Sequence, residues 1–131
     1  MSSQSTIQPY LSALCDRVAG LQTIIVTDRD GVVILRAPEQ AIDDHRNEQI
    51  MTTIFSLTTD QTSKIKALGQ ANHILTFYDT CICLQANHLP LVITLKASLT
   101  ANPGELLDLL PDLKKALDIT RSTILRETDK F

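Results

Sequence analysis

Apolar residues near the start of the chain recur at steps of four and three, as they do along one face of an α-helix. They are Ile7, Leu11, Leu14, Val18 and Leu21. Pro9 is compatible with this helix because it falls in the first turn, where its missing N–H is not needed. Gly20 supplies a residue at which the helix can end. The pattern therefore predicts a first helix that buries one face.

The next two runs are typical of paired β-strands. Residues 23–27 are β-branched throughout, and residues 32–36 resume a strand pattern after a polar break. Gly31 can adopt a positive φ, and the side chains of Asp28 and Asp30 can hydrogen-bond to nearby backbone. We therefore predict a β-hairpin in which both aspartates act as turn residues.

A long helical pattern follows a charged connection at residues 37–46, which contains Pro38 and is predicted to be irregular. The helix is predicted over residues 47–69, with Asn47 as its N-cap. One stripe consists of Ile50, Ile54, Leu57, Gln61, Ile65 and Leu68, and a second flank of Met51, Phe55, Thr58 and Thr62. Two interpretations remain open: both flanks form one broad core face, or one packs on the sheet and the other on a partner protein.

Three strand-like runs come next, at residues 72–78, 81–86 and 91–97. The links between them are short, as expected for an antiparallel meander. The last run is almost continuously apolar, which predicts a central strand covered on both faces.

A final helix is predicted to begin with Asn102 as its cap and Pro103 in its first turn. Its apolar stripe consists of Leu106, Leu110, Leu113, Leu117, Thr120 and Ile124. Pro111 lies inside this pattern and predicts a kink or a short break, because proline cannot donate a helical hydrogen bond.

The predicted order is α-β-β-α-β-β-β-α, an α/β sandwich with a five-stranded antiparallel sheet and helices on both faces. The length of 131 residues suits one domain. We assign residues 7–126 to that domain, 1–6 to a flexible N-terminus and 127–131 to a C-terminal tail.

Composition and charge disfavour several classes of function. Twelve Lys+Arg against fifteen Asp+Glu give a formal net charge of −3, and no basic run is longer than Lys114 and Lys115. Binding to nucleic acid is therefore not expected. The longest apolar stretches are far shorter than the ~20 residues of a membrane-spanning helix. We expect no direct insertion into a membrane.

The three cysteines form an odd set, which argues against a disulfide framework. Cys81 and Cys83 would lie on the same face of a strand. A zinc site would need further ligands, and His73 and His88 are isolated candidates. We interpret the cysteines as small buried side chains and predict no metal site.

Four short motifs, in the same order and spacing, carry a resemblance to a known family. They are Thr27-Asp28-Arg29-Asp30-Gly31-Val32, Thr59-Asp60-Gln61-x-Ser63-Lys64, Leu89-Pro90-Leu91-Val92 and Ala97-Ser98-x-x-Ala101-Asn102. With the predicted element order, they make the chain similar to the roadblock/dynein light chain superfamily. Within it, the chain resembles the MEK-partner scaffold subunits of the Ragulator complex, over roughly residues 7–126.

The resemblance implies a non-catalytic adaptor without cofactors. Family members pair with a second roadblock subunit by aligning their third strands and middle helices, inside a larger complex with other Ragulator subunits. The residues expected on that pairing surface are Met51, Phe55, Thr58, Thr62, His73, Leu75 and Phe77.

The resemblance also implies a place and a pathway. Ragulator lies on the cytosolic face of late endosomes and lysosomes, held there by a lipidated partner subunit. It supports recruitment of Rag GTPases, amino-acid signalling to the target-of-rapamycin kinase complex, and scaffolding of MEK and ERK kinases. These are expectations for this chain.

The chain departs from the family pattern in three places. Thr62 stands where glycine is usual, and Lys96 stands where an apolar residue is usual. The segment 39–48 alternates acidic and basic residues where the family is rich in Ala and Pro. These departures affect the expected partner contacts rather than the fold.

Two alternative functions compete with this resemblance. An apolar strand ending in Asp-x-Asp-Gly-Val also opens small magnesium-dependent phosphatases, where Asp28 would attack phosphorus and Asp30 would serve as acid and base. That chemistry needs a later lysine and an acidic pair at other strand ends, but Lys64 and Lys66 fall in the predicted helix. The second alternative, a homodimeric roadblock regulator of GTPases or motors, stays open.

Overall fold

The computed structural model describes residues 4–38 and 45–129, with the side chains of residues 7–38 and 46–118. The elements are α1 (Gln4–Arg17), β1 (Leu21–Asp28), β2 (Val33–Ala37), α2 (His45–Thr62), a short 3₁₀ turn (Lys66–Leu68), β3 (His73–Phe77), β4 (Ile82–His88), β5 (Leu91–Ala97) and α3 (Pro103–Asp129). This order confirms the predicted α-β-β-α-β-β-β-α sandwich. Most of the predicted irregular connection, residues 39–44, lies outside the described residues.

The five strands form one antiparallel sheet in the order β2-β1-β5-β4-β3. The predicted hairpin is β1–β2, and the predicted meander is β3–β4–β5. Strand β5 is central, and residues 91–95 are all buried, which confirms a strand covered on both faces. Among the described strands, β2 and β3 form the two edges of the sheet.

The two faces of the sheet differ in polarity. The face under α1 and α3 is aliphatic and carries the main core, with fully buried side chains that include Ile24, Val26, Leu84, Ile93 and Leu95. Alternation along the strands sends Thr27, Gln85 and Thr94 to the face under α2, where they are also buried. The helix that covers this second face must therefore accommodate polar groups.

Helix α1 ends earlier than its apolar spacing predicts. Ile7, Leu11 and Leu14 are buried as expected, but Leu21 is the first residue of β1. Gly20 separates the two elements with φ +85°, which confirms its predicted role at the helix end. A Cβ at this position would lie 2.8 Å from the Cβ of Ala101, so the chain also passes very close to the segment before α3.

We expect Gly20→Ala to destabilise the fold more than Gly69→Ala. Both glycines have positive φ, but nothing lies within 4 Å of a Cβ at Gly69. Each variant should lose about 1 kcal/mol from backbone strain, and Gly20→Ala should lose roughly 1–3 kcal/mol more from the contact with Ala101. Urea unfolding of both variants measures this difference, and equal losses would contradict it.

Helix α2 ends at Thr62, so the prediction that it continues to residue 69 is wrong. The N–H of Ser63 still bonds to the carbonyl of Thr59, but that of Lys64 bonds to Gln61 in a tighter turn. Ile65 then leaves the helical region with φ −81° and ψ 86°. The hydroxyls of Thr59 and Thr62 bond to carbonyls three and four residues earlier, contacts that weaken a helix.

Helix α3 begins as predicted, since the Asn102 side chain accepts a hydrogen bond from the N–H of Gly104 at 2.8 Å. Leu106, Leu110, Leu113 and Leu117 are buried against the sheet. The predicted break at Pro111 does not occur. Proline removes one hydrogen bond, and the buried leucines on either side hold the helix together. The side chains of Thr120 and Ile124 lie outside the described residues.

Candidate partner surface

The residues of α2 that are buried lie on the side of the helix opposite to its apolar stripe. They form a row that consists of Glu48, Thr52, Phe55 and Thr59. Phe55 is only 1% exposed. The expectation that Phe55 contacts a partner is therefore corrected: its ring is buried within this chain, on the side of α2 that faces the sheet.

The polar members of this row have local hydrogen-bond or ionic partners. The hydroxyl of Thr52 donates to the carbonyl of Glu48 at 3.1 Å, and that of Thr59 to the carbonyl of Phe55 at 2.9 Å. The carboxylate of Glu48 forms an ion pair with Arg36 on β2. Burial of such groups is tolerable only when they are paired in this way.

A contact from the sheet also holds α2 in place. The side-chain amide of Gln85 on β4 donates to the carbonyl of Met51 at 3.0 Å. The ion pair between Arg36 and Glu48 connects α2 to β2, and the hydrogen bond from Gln85 connects α2 to β4. The semi-polar row of α2 thus matches the semi-polar face of the sheet.

The apolar stripe of α2 faces outward as a result. Ile50 is 47% exposed, Ile54 45% and Leu57 60%. Contiguous exposed apolar side chains on a soluble protein commonly mark a binding surface. The resemblance implies a partner on the other flank of this helix.

The structure divides the seven residues predicted for the pairing surface. Thr62, His73 and Phe77 are exposed, Met51, Thr58 and Leu75 are partly buried, and Phe55 is buried. Met51 and Thr58 lie on the flank of α2 between its buried row and its exposed stripe. Leu75 packs against the main core, so only part of its surface remains available.

Strand β3 offers a second feature that suits a partner. It pairs with β4 alone within the described strands, so its other edge carries unpaired backbone groups. Exposed apolar residues lie before, within and after this strand: Ile65, Leu68, Phe77 and Tyr78. We call the exposed stripe of α2 (Ile50, Ile54 and Leu57), together with the open edge of β3 and Tyr78, the α2–β3 surface.

A cavity of about 350 Å³ connects the parts of this surface. It lies between the first half of α2 and the sheet, and both Ile54 and Tyr78 line it. Exposed residues of the helix and of the segment after β3 thus border the same opening. Lys96, one of the departures from the family pattern, also lines it.

Cys81 and Cys83 line the cavity as well, with their Sγ atoms 4.0 Å apart. Both are buried on one face, which confirms the interpretation of these cysteines. Burial and the neighbouring Cys81 thiol raise the pKa of Cys83 to about 12, so Cys83 is a neutral thiol at physiological pH. Within the described residues, no three His, Cys, Asp or Glu side chains are placed to hold a metal ion.

Asp28 has the turn role predicted for it. Its carboxylate accepts hydrogen bonds from the N–H of Asp30 at 2.9 Å and from the N–H of Val32 at 3.0 Å. These bonds hold the β1–β2 turn, in which Gly31 has φ +90°. The Asp-x-Asp-Gly-Val pattern is thus accounted for by hairpin geometry.

Solved structures show which class of domain this fold defines. A roadblock/LC7 domain from Streptomyces avermitilis superposes with a TM-score of 0.74 at 15% identity, covering 90% of this chain and 97% of that one. MglB from Myxococcus xanthus also gives a TM-score of 0.74, at 11% identity, covering 91% and 97%. The chain has the roadblock fold.

The sequence itself is more specific than the fold. Residues 5–124 match the family described as "Mitogen-activated protein kinase kinase 1 interacting". The Ragulator complex protein LAMTOR3-B of Xenopus laevis is 37% identical over 120 residues, covering 86% of this chain and 97% of that protein. Human Ragulator complex protein LAMTOR3 is 34% identical over 118 residues, covering 90% and 94%.

The chain therefore belongs to the mitogen-activated protein kinase kinase 1 interacting family. Its relatives are named as components of a protein complex, and its fold is the roadblock fold. The family and its named relatives identify a non-catalytic adaptor rather than an enzyme. No helix in the described part of the chain combines the length and the apolar character needed to cross a bilayer.

Proposed function

We propose that this chain is an adaptor subunit of a Ragulator-type complex and pairs there with a second roadblock protein. The similarity to named Ragulator subunits over nearly their whole length supports the proposal. The single structural observation that carries it is the α2–β3 surface, where exposed Ile50, Ile54 and Leu57 accompany an open strand edge.

The physical logic of this pairing has two parts. A second roadblock sheet can add its own edge strand to β3 and satisfy the unpaired N–H and C=O groups. Helix α2 can then lie against the partner's equivalent helix and bury its isoleucine and leucine side chains. Burial of both features would give the larger, more apolar interface typical of permanent complexes.

The pairing residues inferred from sequence are revised accordingly. The proposed contacts at the margin of the α2–β3 surface are still Met51, Thr58, Thr62, His73, Leu75 and Phe77. The centre of the interface is now assigned to Ile50, Ile54 and Leu57.

The proposed place of action is the cytosolic face of late endosomes and lysosomes, with a lipidated subunit providing attachment. There the complex would recruit Rag GTPases and support amino-acid signalling to the target-of-rapamycin kinase complex. Contacts with MEK and ERK kinases are part of the same proposal, and the family description supports the contact with MEK.

Native mass spectrometry of the tagged chain, purified gently from its own cells, tests the proposal. We expect a stable 1:1 pair with another small roadblock protein, accompanied by further small subunits. A lone monomer would contradict pairing. A pure homodimer would support a roadblock regulator outside Ragulator instead.

A further inference from the structure

The cavity under α2 has a volume suited to a small ligand. Its volume of about 350 Å³ lies within the roughly 300–1,000 Å³ of small-molecule sites. Its floor is a row of side chains across three adjacent strands, with Lys96 on β5 opposite Thr23 on β1 and Cys83 on β4. Tyr78 and Thr80 border it at the link between β3 and β4.

Lys96 is an unusual residue for this place. It lies on the central strand, is only partly exposed, and follows a run of five buried residues. The carboxylate that borders the cavity, Glu48, forms an ion pair with Arg36. Among the side chains the structure describes, none makes an ion pair with Lys96.

The charge of Lys96 favours an anion in the cavity. An ammonium group held beside low-dielectric walls attracts a counter-charge more strongly than it would in water. Apart from Glu48, whose charge is paired with Arg36, the remaining lining is neutral, and its polar members include the Asn47 amide and the hydroxyl and thiol groups of Thr23, Thr80 and Cys81. A single positive charge matches a monoanion such as a carboxylate better than a phosphate dianion, which would need further cationic groups.

The apolar part of the lining indicates which kind of chemical group carries the anion. Ile25, Met51 and Ile54 form apolar walls of the same cavity. We infer that this cavity binds a carboxylate attached to a small apolar group, with the carboxylate on Lys96 and the apolar group against Met51 and Ile54. The carboxylate can belong to a free small molecule or to an acidic residue beside an apolar one in a peptide.

Phenylacetate and its neutral counterpart phenylacetamide test this inference on the full chain. Binding is followed by the methyl NMR signals of Ile25, Met51 and Ile54. We expect saturable shifts with phenylacetate and at least about tenfold weaker binding of the amide, because a charge-assisted hydrogen bond is lost. No saturable shift at these methyls, or equal affinity for acid and amide, would overturn the inference.

Lys96→Met keeps a long side chain and removes the charge. It should abolish the preference for acid over amide, while Lys64→Met, a change at an exposed lysine that does not line the cavity, should leave the preference intact. An undispersed methyl spectrum would identify a variant that fails to fold, and the comparison of acid with amide on the unaltered chain then still decides. Retention of the preference in folded Lys96→Met would refute the role of Lys96.

A second pair of probes identifies the source of the carboxylate. Acetyl-Phe-Asp-amide and acetyl-Phe-Asn-amide carry the same groups on a peptide. Tighter binding of the aspartyl peptide than of phenylacetate assigns the cavity to a protein segment, and the reverse order assigns it to a small molecule. Because these probes need no second subunit, failure here leaves the proposed pairing standing, and a failure of pairing leaves this site standing.

Discussion

Ile54→Asp should give a chain that folds normally but no longer pairs with a second roadblock subunit. Ile54 is 45% exposed, so an aspartate there remains hydrated in the free chain. In the proposed pair the same aspartate would be buried without a counter-charge. We expect a loss of at least about 3 kcal/mol, or more than a hundredfold in Kd, measured by co-purification and calorimetry.

Thr53→Asp is the matched control for this experiment. It introduces the same charge one residue earlier on α2, at an exposed position outside the apolar stripe. The Thr53 hydroxyl donates to the carbonyl of Gln49 in the preceding turn of the same helix, so loss of this hydroxyl should cost little stability. Pairing should persist in this variant. Normal pairing of a folded Ile54→Asp chain would remove α2 from the proposed interface.

Phe55→Ala should destabilise the monomer itself. The side chain is 1% exposed and lies on the buried row of α2, where its deletion would leave a cavity above the sheet. Loss of a buried phenylalanine costs about 3–5 kcal/mol. We expect the thermal midpoint to fall by roughly 10–20 °C in a chain of this size, measured by circular dichroism on the chain without its partner.

Phe55→Leu controls for this prediction, because it keeps most of the apolar volume and should recover much of the lost stability. Ile54→Asp, one residue away, should unfold within a few degrees of the unaltered chain. A folded Phe55→Ala chain with an unchanged midpoint that fails to pair would return Phe55 to the partner surface.

The predicted secondary structure was most accurate where local chemistry is strong. The turn at Asp28 and Gly31 and the cap at Asn102 are decided by a few neighbouring residues, and all appear as predicted. The end of α2 was missed because Ile65 and Leu68 continue the helical spacing beyond Thr62. The spacing of apolar residues carries no information about the hydrogen bonds from threonine hydroxyls to backbone carbonyls that accompany the end of that helix.

The proposed partner site stays a prediction, and it lies on the two elements that the resemblance names. The middle helix exposes apolar side chains, and the third strand has an open edge among the described strands. Apolar spacing alone predicts the wrong buried side of this helix, because Thr52 and Thr59 are buried and Ile50 and Ile54 are exposed. The sequence does contain a signal for the buried side of α2. Thr27, Gln85 and Thr94 alternate with apolar residues along their strands and make the sheet face under α2 semi-polar.

The sequence by itself determined the order of the elements, the antiparallel sheet with β5 at its centre, and the family. Period-two and period-3.6 patterns and local turn motifs are sufficient for these. Only the tertiary structure decided which side of α2 is buried and that Lys96 opens into a cavity. Both depend on ion pairs and hydrogen bonds between distant segments, such as Arg36 with Glu48 and Gln85 with Met51, which no local pattern records.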